Sequence, residues 1–517
     1  MSLADDPEIT SLRDDISEWV AYALQGYPRK PIVREEKIIR DPVHGFCTLK
    51  PFEIDILDCP LLQRLRYVHQ NGLTYLLYPG AQHTRFEHSL GVLYIADQMI
   101  KGLQTSYPDI VKKTHLVEIR LAAILHDVGH TFFSHVSESI IEDRFKEKFR
   151  SIKSATFKKK RRFFESANVH EILSYFIVTS GPFKKFANKV WSRYSDVKSE
   201  QPNIDRIAGY IIGNADPEEQ YMADIIHGPL DADKLDYMLR DCYYTGIHSE
   251  VDTARLINTL RLIEYTDWPR YLSVRGASIP YIEQILMTKL VLYGAIYHHH
   301  KVRALECMVK GIFEKIWARN ASIKNNVLRF KNISDFYILR EFEFLCLGSN
   351  EKVIAPLVKA LVNRDIIKRS LVICKPSVAT TPTWPDASRK LSPYVTNPKR
   401  LKEDREKIVT KLRSENKTKI EEAYFWIDVP KSPEVDETAQ HFFVSIAGEE
   451  PQPLANLFPC DDWLRSYATN KLTAHVFCPD NDELRKKVAD VSEKFIFTEF
   501  GIKLDGKRAR QLAHVGE

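Results

Sequence analysis

The sequence predicts a mainly α protein, a helical catalytic core followed by a smaller α+β domain. Three observations carry this. Apolar residues recur at helical spacing through residues 1–365, and at about Lys368 the texture changes to short β-rich runs among prolines. The histidines and aspartates that could carry chemistry cluster at the ends of helical segments. At 517 residues, 44% hydrophobic and 28% charged, the chain can bury more than one core and has the balance of a folded protein.

Taken in order, the N-terminal segment is expected over 1–36. Its opening, MSLADDPEIT, is acidic and lacks the apolar run of a signal peptide. No stretch approaches the roughly 18–20 apolar residues of a membrane span, so no membrane partner is expected. HSLGVLYIADQMI, opening at His88, is amphipathic, and the apolar IRLAAILHDVGH ends on His126 and Asp127. From Asp233, Leu235, Met238, Leu239 and Cys242 fall at i, i+3, i+4 and i+7, which predicts a helix. Asp233, Tyr237 and Asp241 then share a face, with Lys234 one residue round; a solvated Lys/Asp/Arg face accounts for Lys234 and Arg240 equally well.

Beyond Lys368 come SLVIC and a stretch rich in proline (Pro376, Pro382, Pro385, Pro393, Pro398). A charged helix follows over PKRLKEDREKIVTKLRSENKTKIEEA, then the strand-like runs YFWIDV, HFFVSI and TAHVFC, then a helical DELRKKVADVSEKF. The expected organisation is a catalytic domain over 37–365, an α+β domain over 366–500 serving oligomerisation or regulation, and a frayed tail over 501–517.

The net charge of +5 says little, but its distribution says more. Within an insert at about 143–165, ten basic residues lie between Arg144 and Arg162 against the single acid Glu147. Phe145, Phe149, Phe157, Phe163 and Phe164 interleave them, which makes the insert a candidate lid or nucleic-acid contact; a solvated loop is the plainer reading. The eight cysteines form no CxxC pair, and Cys307, Cys346, Cys374 and Cys478 sit in apolar stretches. They read as buried free thiols of a reducing compartment, cytoplasmic or nuclear.

The strongest chemical signal is His88, the pair His126-Asp127, and Asp233. Two imidazoles and two carboxylates suit a divalent Mg, Mn, Fe or Zn ion, with positions left for water and a phosphate. His130, His135 and His170-Glu171 add to the density. Clustering such groups on apolar helices is costly unless a metal offsets the desolvation; satisfied core polar residues are the alternative. Arg85, three residues before His88, is a candidate phosphate fork or a partner for Glu87 or Asp127.

The strings RDPVHG (40–45), DCPLLQRLRYVHQNG (58–72), YPGAQHTRFEHSLGV (78–92), LHDVGHTFFSH (125–135) and DADKLDYMLRDCYYTGI (231–247) carry a resemblance. Over about residues 37–301 the chain resembles the HD-domain deoxynucleoside triphosphate triphosphohydrolases, the SAM-and-HD-domain branch and the bacterial dGTPase-like members among them. The resemblance implies that His88, His126, Asp127 and Asp233 hold the metal. It implies that His135, with His130 and His170 nearby, handles protons, Glu138 standing where the family has Asp. Arg85 and Lys234 would hold phosphates. Tyr237, Asp241 and Gln70 would contact sugar or base, while Asn71 replaces a family Leu and His298 stands at a family Tyr. The implied reaction is attack of a metal-activated water on the α-phosphorus of a dNTP, giving a deoxynucleoside and inorganic triphosphate.

The same resemblance implies a homo-oligomer and a separate activating-nucleotide site at Lys37, Asp58, Gln63 and Arg66. Its C-terminal strand has His475 and Pro479 where basic contacts are expected. Antiviral or antiphage defence by dNTP depletion is a role such enzymes can fill. Two alternatives stay open: hydrolysis of ribonucleotides, alarmones or cyclic dinucleotides in the same fold, and nucleotide-gated nucleic-acid binding.

Overall fold

The structure, a computed structural model, describes residues 7–28, 35–142, 167–194, 201–249, 251–263, 270–319, 335, 337–340, 354–379, 383–416, 418–431, 442–459, 462–463, 466 and 470–515. The basic insert at about 143–165 lies almost wholly outside the described residues, and Cys346 lies outside them too. The chain divides into two compact units. One comprises Met1–Lys289, Val327–Asp335 and Asp436–Cys460; the other comprises Leu290–Asn326, Phe336–Val435 and Asp461–Glu517. The units interleave in sequence rather than meeting at a single boundary near 365.

In chain order the strands are β1 (Lys37–Asp41), β2 (Gly45–Leu49), β3 (Leu260–Ile263), β4 (Tyr271–Arg275), β5 (Lys368–Ile373), β6 (Trp426–Asp428), β7 (Phe443–Ser445), β8 (Gln452–Pro453) and β9 (Ala474–Cys478). The first unit is mainly helical, as the sequence predicts. Its described helices include α1 (Pro7–Ala23), α2 (Pro51–Leu57), α3 (Arg85–Ser106), α4 (Lys113–Leu125), α5 (Val169–Thr179), α6 (Gly181–Trp191), α7 (Ile204–Ile211), α8 (Gln220–Ile226) and α9 (Ala232–Thr245). The hairpin β1–β2 and the sheet β3-β4-β7-β8 flank them.

α3 is the central rod, packed against α4 and α9. Leu90, Val92, Leu93, Ile95, Ala96, Met99 and Ile100 are buried, while Gln98, Lys101 and Thr105 are exposed along one narrow side of the helix. The segment is amphipathic as expected, with a wide buried apolar side and a narrow polar stripe. α9 follows its predicted spacing more closely, with Leu235, Met238 and Cys242 buried.

Where α8 packs on β4, Asp224 accepts hydrogen bonds from the Leu272 N–H at 3.0 Å and the Gln220 amide at 3.2 Å. Burial outweighs these bonds and pushes its carboxyl up to about 7. A carboxyl raised on folding favours the native state when protonated; that stability is fully present below pH 3.8 and is lost as pH rises to about 7. Asp224→Asn, which stays neutral, is expected to melt close to wild type at about pH 4 and a few degrees above it at pH 8; differential scanning calorimetry at both pH values checks this.

The second unit has the three-stranded sheet β5-β9-β6. It carries helices α10 (His300–Arg319), α11 (Pro398–Asn416), α12 (Asp482–Phe500) and α13 (Gly506–Leu512). Leu371, Ile373, Phe425, Ile427, Val476, Val488, Ile496 and Phe500 form its core. Two of the strand-like runs, YFWIDV and TAHVFC, pair here. The third, HFFVSI, supplies β7 and runs parallel to β4 in the first unit.

The expected frayed tail is corrected. Asp505 caps α13 through the Arg508 N–H, Ala509 is buried, and the buried Arg485 guanidinium collects the Ala513 and His514 carbonyls. Cys47, Cys59, Cys242, Cys307, Cys374 and Cys478 are buried free thiols. Among the described residues no helix is long and apolar enough to cross a membrane.

Candidate metal centre

Three helix ends deliver the donors. Thr84 and Glu87 close a capping box at the start of α3, which fixes the first turn and puts His88 fully inside. α4 ends on His126, and Asp127 follows directly. Asp231 caps α9 by accepting from the Lys234 N–H at 2.7 Å, so Asp233 sits in the first turn.

Each histidine is oriented through its far nitrogen. His88 Nδ1 lies 2.7 Å from Asp236 Oδ2, and His126 Nδ1 lies 2.8 Å from the Ala123 carbonyl. Both Nε2 atoms therefore face one point, 3.3 Å apart. Asp233 Oδ1 lies 2.9 Å from His88 Nε2, and the Asp127 carboxylate lies 3.4 Å from His126 Nε2 and 3.7 Å from His88 Nε2. Metal–ligand bonds of about 2.0–2.2 Å place neighbouring donors about 3.0–3.5 Å apart. His88, His126 and Asp233 thus form a group that could hold a divalent cation, with Asp127 alongside and with the far-nitrogen partners that metal-bound histidines usually have.

The charges agree. Burial would push His88 down, but hydrogen bonds to Asp233 and Asp236 raise it to about 10. Burial would raise Asp127, yet Arg85, His126 and His130 hold it well below the usual carboxylate range. Asp233 is lowered in the same way, against burial, by His88. The carboxylate charge that holds a proton on His88 here is charge that a bound cation would neutralise in place of that proton.

Beside this set, Asp127, His130 and His170 bring a second group of donor atoms together. Arg85 Nη1 donates to Asp127 Oδ2 at 2.9 Å, so a second dication here would face a fixed guanidinium. The group reads better as a surface for phosphate and protons. Glu138 joins it, with His170 Nδ1 at 2.8 Å and His135 Nδ1 at 2.9 Å from its two oxygens. Burial would raise Glu138, but His170 and His135 keep it well below the usual range; reciprocally, Glu138 outweighs burial and lifts His170 to about 9. His130 is buried, stacks on His170 with ring centroids 3.9 Å apart, and makes no hydrogen bond through either nitrogen among the described residues. The His135 side chain is 69% exposed and opens the cluster to solvent.

The remaining expected site residues divide. Arg85 is buried and committed to protein groups: Ser134 Oγ, Asp127, the Gln70 carbonyl and His135. Lys234 Nζ is held by Asp231 and the Gly228 carbonyl. Asp241 is buried against His83 Nε2 at 2.8 Å, and Tyr237 is half-buried on α9. The Gln70 Oε1 and Asn71 Nδ2 atoms are buried and find no hydrogen-bond partner among the described residues. His298 belongs to the second unit, where burial and Arg303 lower it to about 4. Of the four residues expected to read a second nucleotide, Arg66 donates to Gln63 at 2.9 Å and lies over the Phe86 ring. Lys37 opens β1 and is exposed, and Asp58 caps α2.

Sequence reasoning missed the support behind His88. Asp236 accepts from His88, from Arg240 through two bonds at 2.8 and 2.9 Å, and lies 2.6 Å from His44 Nε2. Arg240 also donates to Asp41 at 2.9 Å, and Asp41 accepts from the Val43 and His44 N–H groups. This assigns work to the RDPVHG string. Arg64 was missed too: it donates to the His130 and Val128 carbonyls and so props the HDVGH turn.

Gly91 lets α3 approach Asp236 and Arg240. A Cβ there would land on Asp236 Oδ1 and Arg240 Nη2. Gly91→Ala is expected to lose about 3 kcal/mol of stability, by overpacking a site that cannot collapse, and to lower metal affinity. Thermal melts with and without added Mn²⁺ check both.

Two family profiles match the chain, HD domain over residues 85–180 and HD associated region over residues 251–509. The chain belongs to the HD-domain family. Among curated relatives of this HD-domain protein, an uncharacterized protein of Methanocaldococcus jannaschii is 29% identical over 317 residues, 59% of this chain and 57% of that one. The Homo sapiens protein named Deoxynucleoside triphosphate triphosphohydrolase SAMHD1 is 29% identical over 297 residues, 54% of this chain and 44% of that one. The HD-domain chain spans about half the length of the curated relatives it matches. A crystal structure of a hypothetical protein from Aquifex aeolicus, 23% identical, covers 88% of this chain and 100% of its own with a TM-score of 0.60. That likeness bears on the fold.

Proposed function

We propose that this HD-domain protein hydrolyses deoxynucleoside triphosphates to a deoxynucleoside and inorganic triphosphate. The observation that carries the reading is the juxtaposition of a four-donor metal set with the His135–Glu138–His170 relay across the shared Asp127 carboxylate. The name of the human relative supports the choice of substrate.

A divalent cation held by His88, His126, Asp127 and Asp233 supplies Lewis-acid activation of water and of a phosphoryl oxygen. The chain's own residues do the rest. Glu138 fixes the Nδ1 side of both histidines, so each presents Nε2 away from it. Exposed His135, whose Nε2 accepts from Arg85 Nη2 in this structure, is the residue we assign to proton transfer at the leaving 5′-oxygen once substrate phosphate draws Arg85 off that nitrogen. His170, held as imidazolium, offers a proton to a phosphate oxygen. Arg85 aligns Asp127 and His135 rather than serving as a free fork. Activation by a second nucleotide and homo-oligomer formation belong to the same proposal, resting on the family likeness.

A second reading, cleavage of ribonucleotides, is favoured by Asn71 Nδ2 and Gln70 Oε1, which have no hydrogen-bond partner among the described residues. They are polar groups that a sugar hydroxyl can satisfy. Chromatography of products from each dNTP and NTP, singly and in pairs with Mg²⁺ or Mn²⁺, tests both. Deoxynucleoside plus triphosphate supports the proposal, faster turnover of NTPs supports the second reading, and turnover of neither overturns both.

A further inference from the structure

Asp335 reaches this site from far along the chain. Its carboxylate is buried and accepts three hydrogen bonds. One oxygen takes the Phe133 N–H at 2.6 Å; the other takes the His69 N–H at 2.8 Å and His69 Nδ1 at 2.7 Å. The turn it grips is strained. Phe133 and Ser134 have φ of 51° and 50°, a left-handed conformation that side-chain-bearing residues hold only when their surroundings impose it.

The surroundings here are specific. Ser134 Oγ donates to the His69 carbonyl at 2.6 Å, closing the same two loops from the other side. Gly72, at φ 52°, lets the loops meet: a Cβ there would lie 2.8 Å from the Phe133 carbonyl oxygen. Both clamped loops hold Arg85, through Ser134 Oγ at 3.0 Å and the Gln70 carbonyl at 3.3 Å. The residue after the strained pair is His135, with Nε2 3.3 Å from Arg85 Nη2.

We propose that Asp335 is a positioning residue for the reaction, clamping the His69–Gln70 loop to the Phe133–Ser134 turn and so setting His135 and Arg85 against the metal centre. This rests on the reading of His135 as the proton-handling group. The clamp requires a carboxylate because all three of its bonds are accepted; an amide would turn its NH₂ toward the Phe133 N–H or toward the His69 donors and lose that side of the clamp.

The test uses the full chain loaded with Mn²⁺, comparing wild type with Asp335→Asn and Asp335→Glu. Three quantities are read: metal per chain, hydrogen exchange of segments 68–72 and 131–136, and kcat and KM for the substrate. The expected result for Asp335→Asn is unchanged metal content and faster exchange in both segments together. Its kcat falls about 10²-fold at nearly constant KM, as for a misplaced catalytic group; Asp335→Glu recovers part of the loss. Unchanged exchange in 131–136, unchanged kcat, or a loss confined to melting temperature overturns the proposal. If Asp335→Asn does not fold, His69→Ala removes one of the three donors. It should then show a smaller rise in exchange with a smaller fall in kcat, and no change in either overturns the clamp. Should wild type turn over no nucleotide, the substrate reading fails while the exchange measurement still decides whether the clamp exists.

Discussion

His126→Ala is expected to strip the protein of its metal, taking bound cation from about one per chain to near none and hydrolysis down by on the order of 10³-fold. The loss follows from geometry. Among the described residues His126 Nε2 is one of two imidazole donors in this group, 3.3 Å from its partner on His88, and carboxylates alone cannot restore the mixed donor set. The fold should survive, because the ring's other bond is to a carbonyl of its own helix, Ala123. Elemental analysis after dialysis against a weak chelator, paired with a thermal melt, separates this outcome from unfolding. Full metal retention in the variant would place the cation elsewhere.

Arg240→Leu is expected to cause the largest loss of stability, about 3–5 kcal/mol. The guanidinium is completely buried and neutralises two carboxylates, Asp236 through two bonds and Asp41 through one. Leucine leaves both charges without their partner. Arg240→Lys should recover little, because a point ammonium cannot span both carboxylates as the planar fork does. The damage should spread to the metal, since Asp236 orients His88; metal affinity should fall about 10- to 100-fold even where the variant stays folded. Denaturant unfolding and Mn²⁺ titration measure the two effects. A variant as stable as wild type would mean that the buried network contributes nothing.

What the sequence made legible follows from how residues are constrained. His88, His126, Asp127 and Asp233 stood out because imidazoles and carboxylates on apolar helices are costly without a partner; the structure gathers donor atoms of His88, His126 and Asp233 into one group that could hold an ion and sets Asp127 in the group beside it. Asp236 and Arg240 did not stand out. On α9 they occur among Lys234, Asp233 and Asp241, and a charge-rich helix face looks solvated until the packing partner is known; that partner is the RDPVHG loop, nearly two hundred residues away. Asp335 was invisible for the same reason, its bonds to His69 and Phe133 crossing 266 and 202 residues. The strand HFFVSI was legible as a strand, but its pairing with β4 is long-range information that local pattern does not hold. The tail misled because its anchor, Arg485, lies on a different helix.

The central claim is hydrolysis at the α-phosphorus by the metal site, and isotope transfer tests it most directly. Metal-loaded protein would turn over a dNTP in ¹⁸O-labelled water, with mass spectrometry of both products. The account predicts inorganic triphosphate carrying the label and an unlabelled deoxynucleoside. Label in the nucleoside, or release of orthophosphate or pyrophosphate in place of triphosphate, would contradict it.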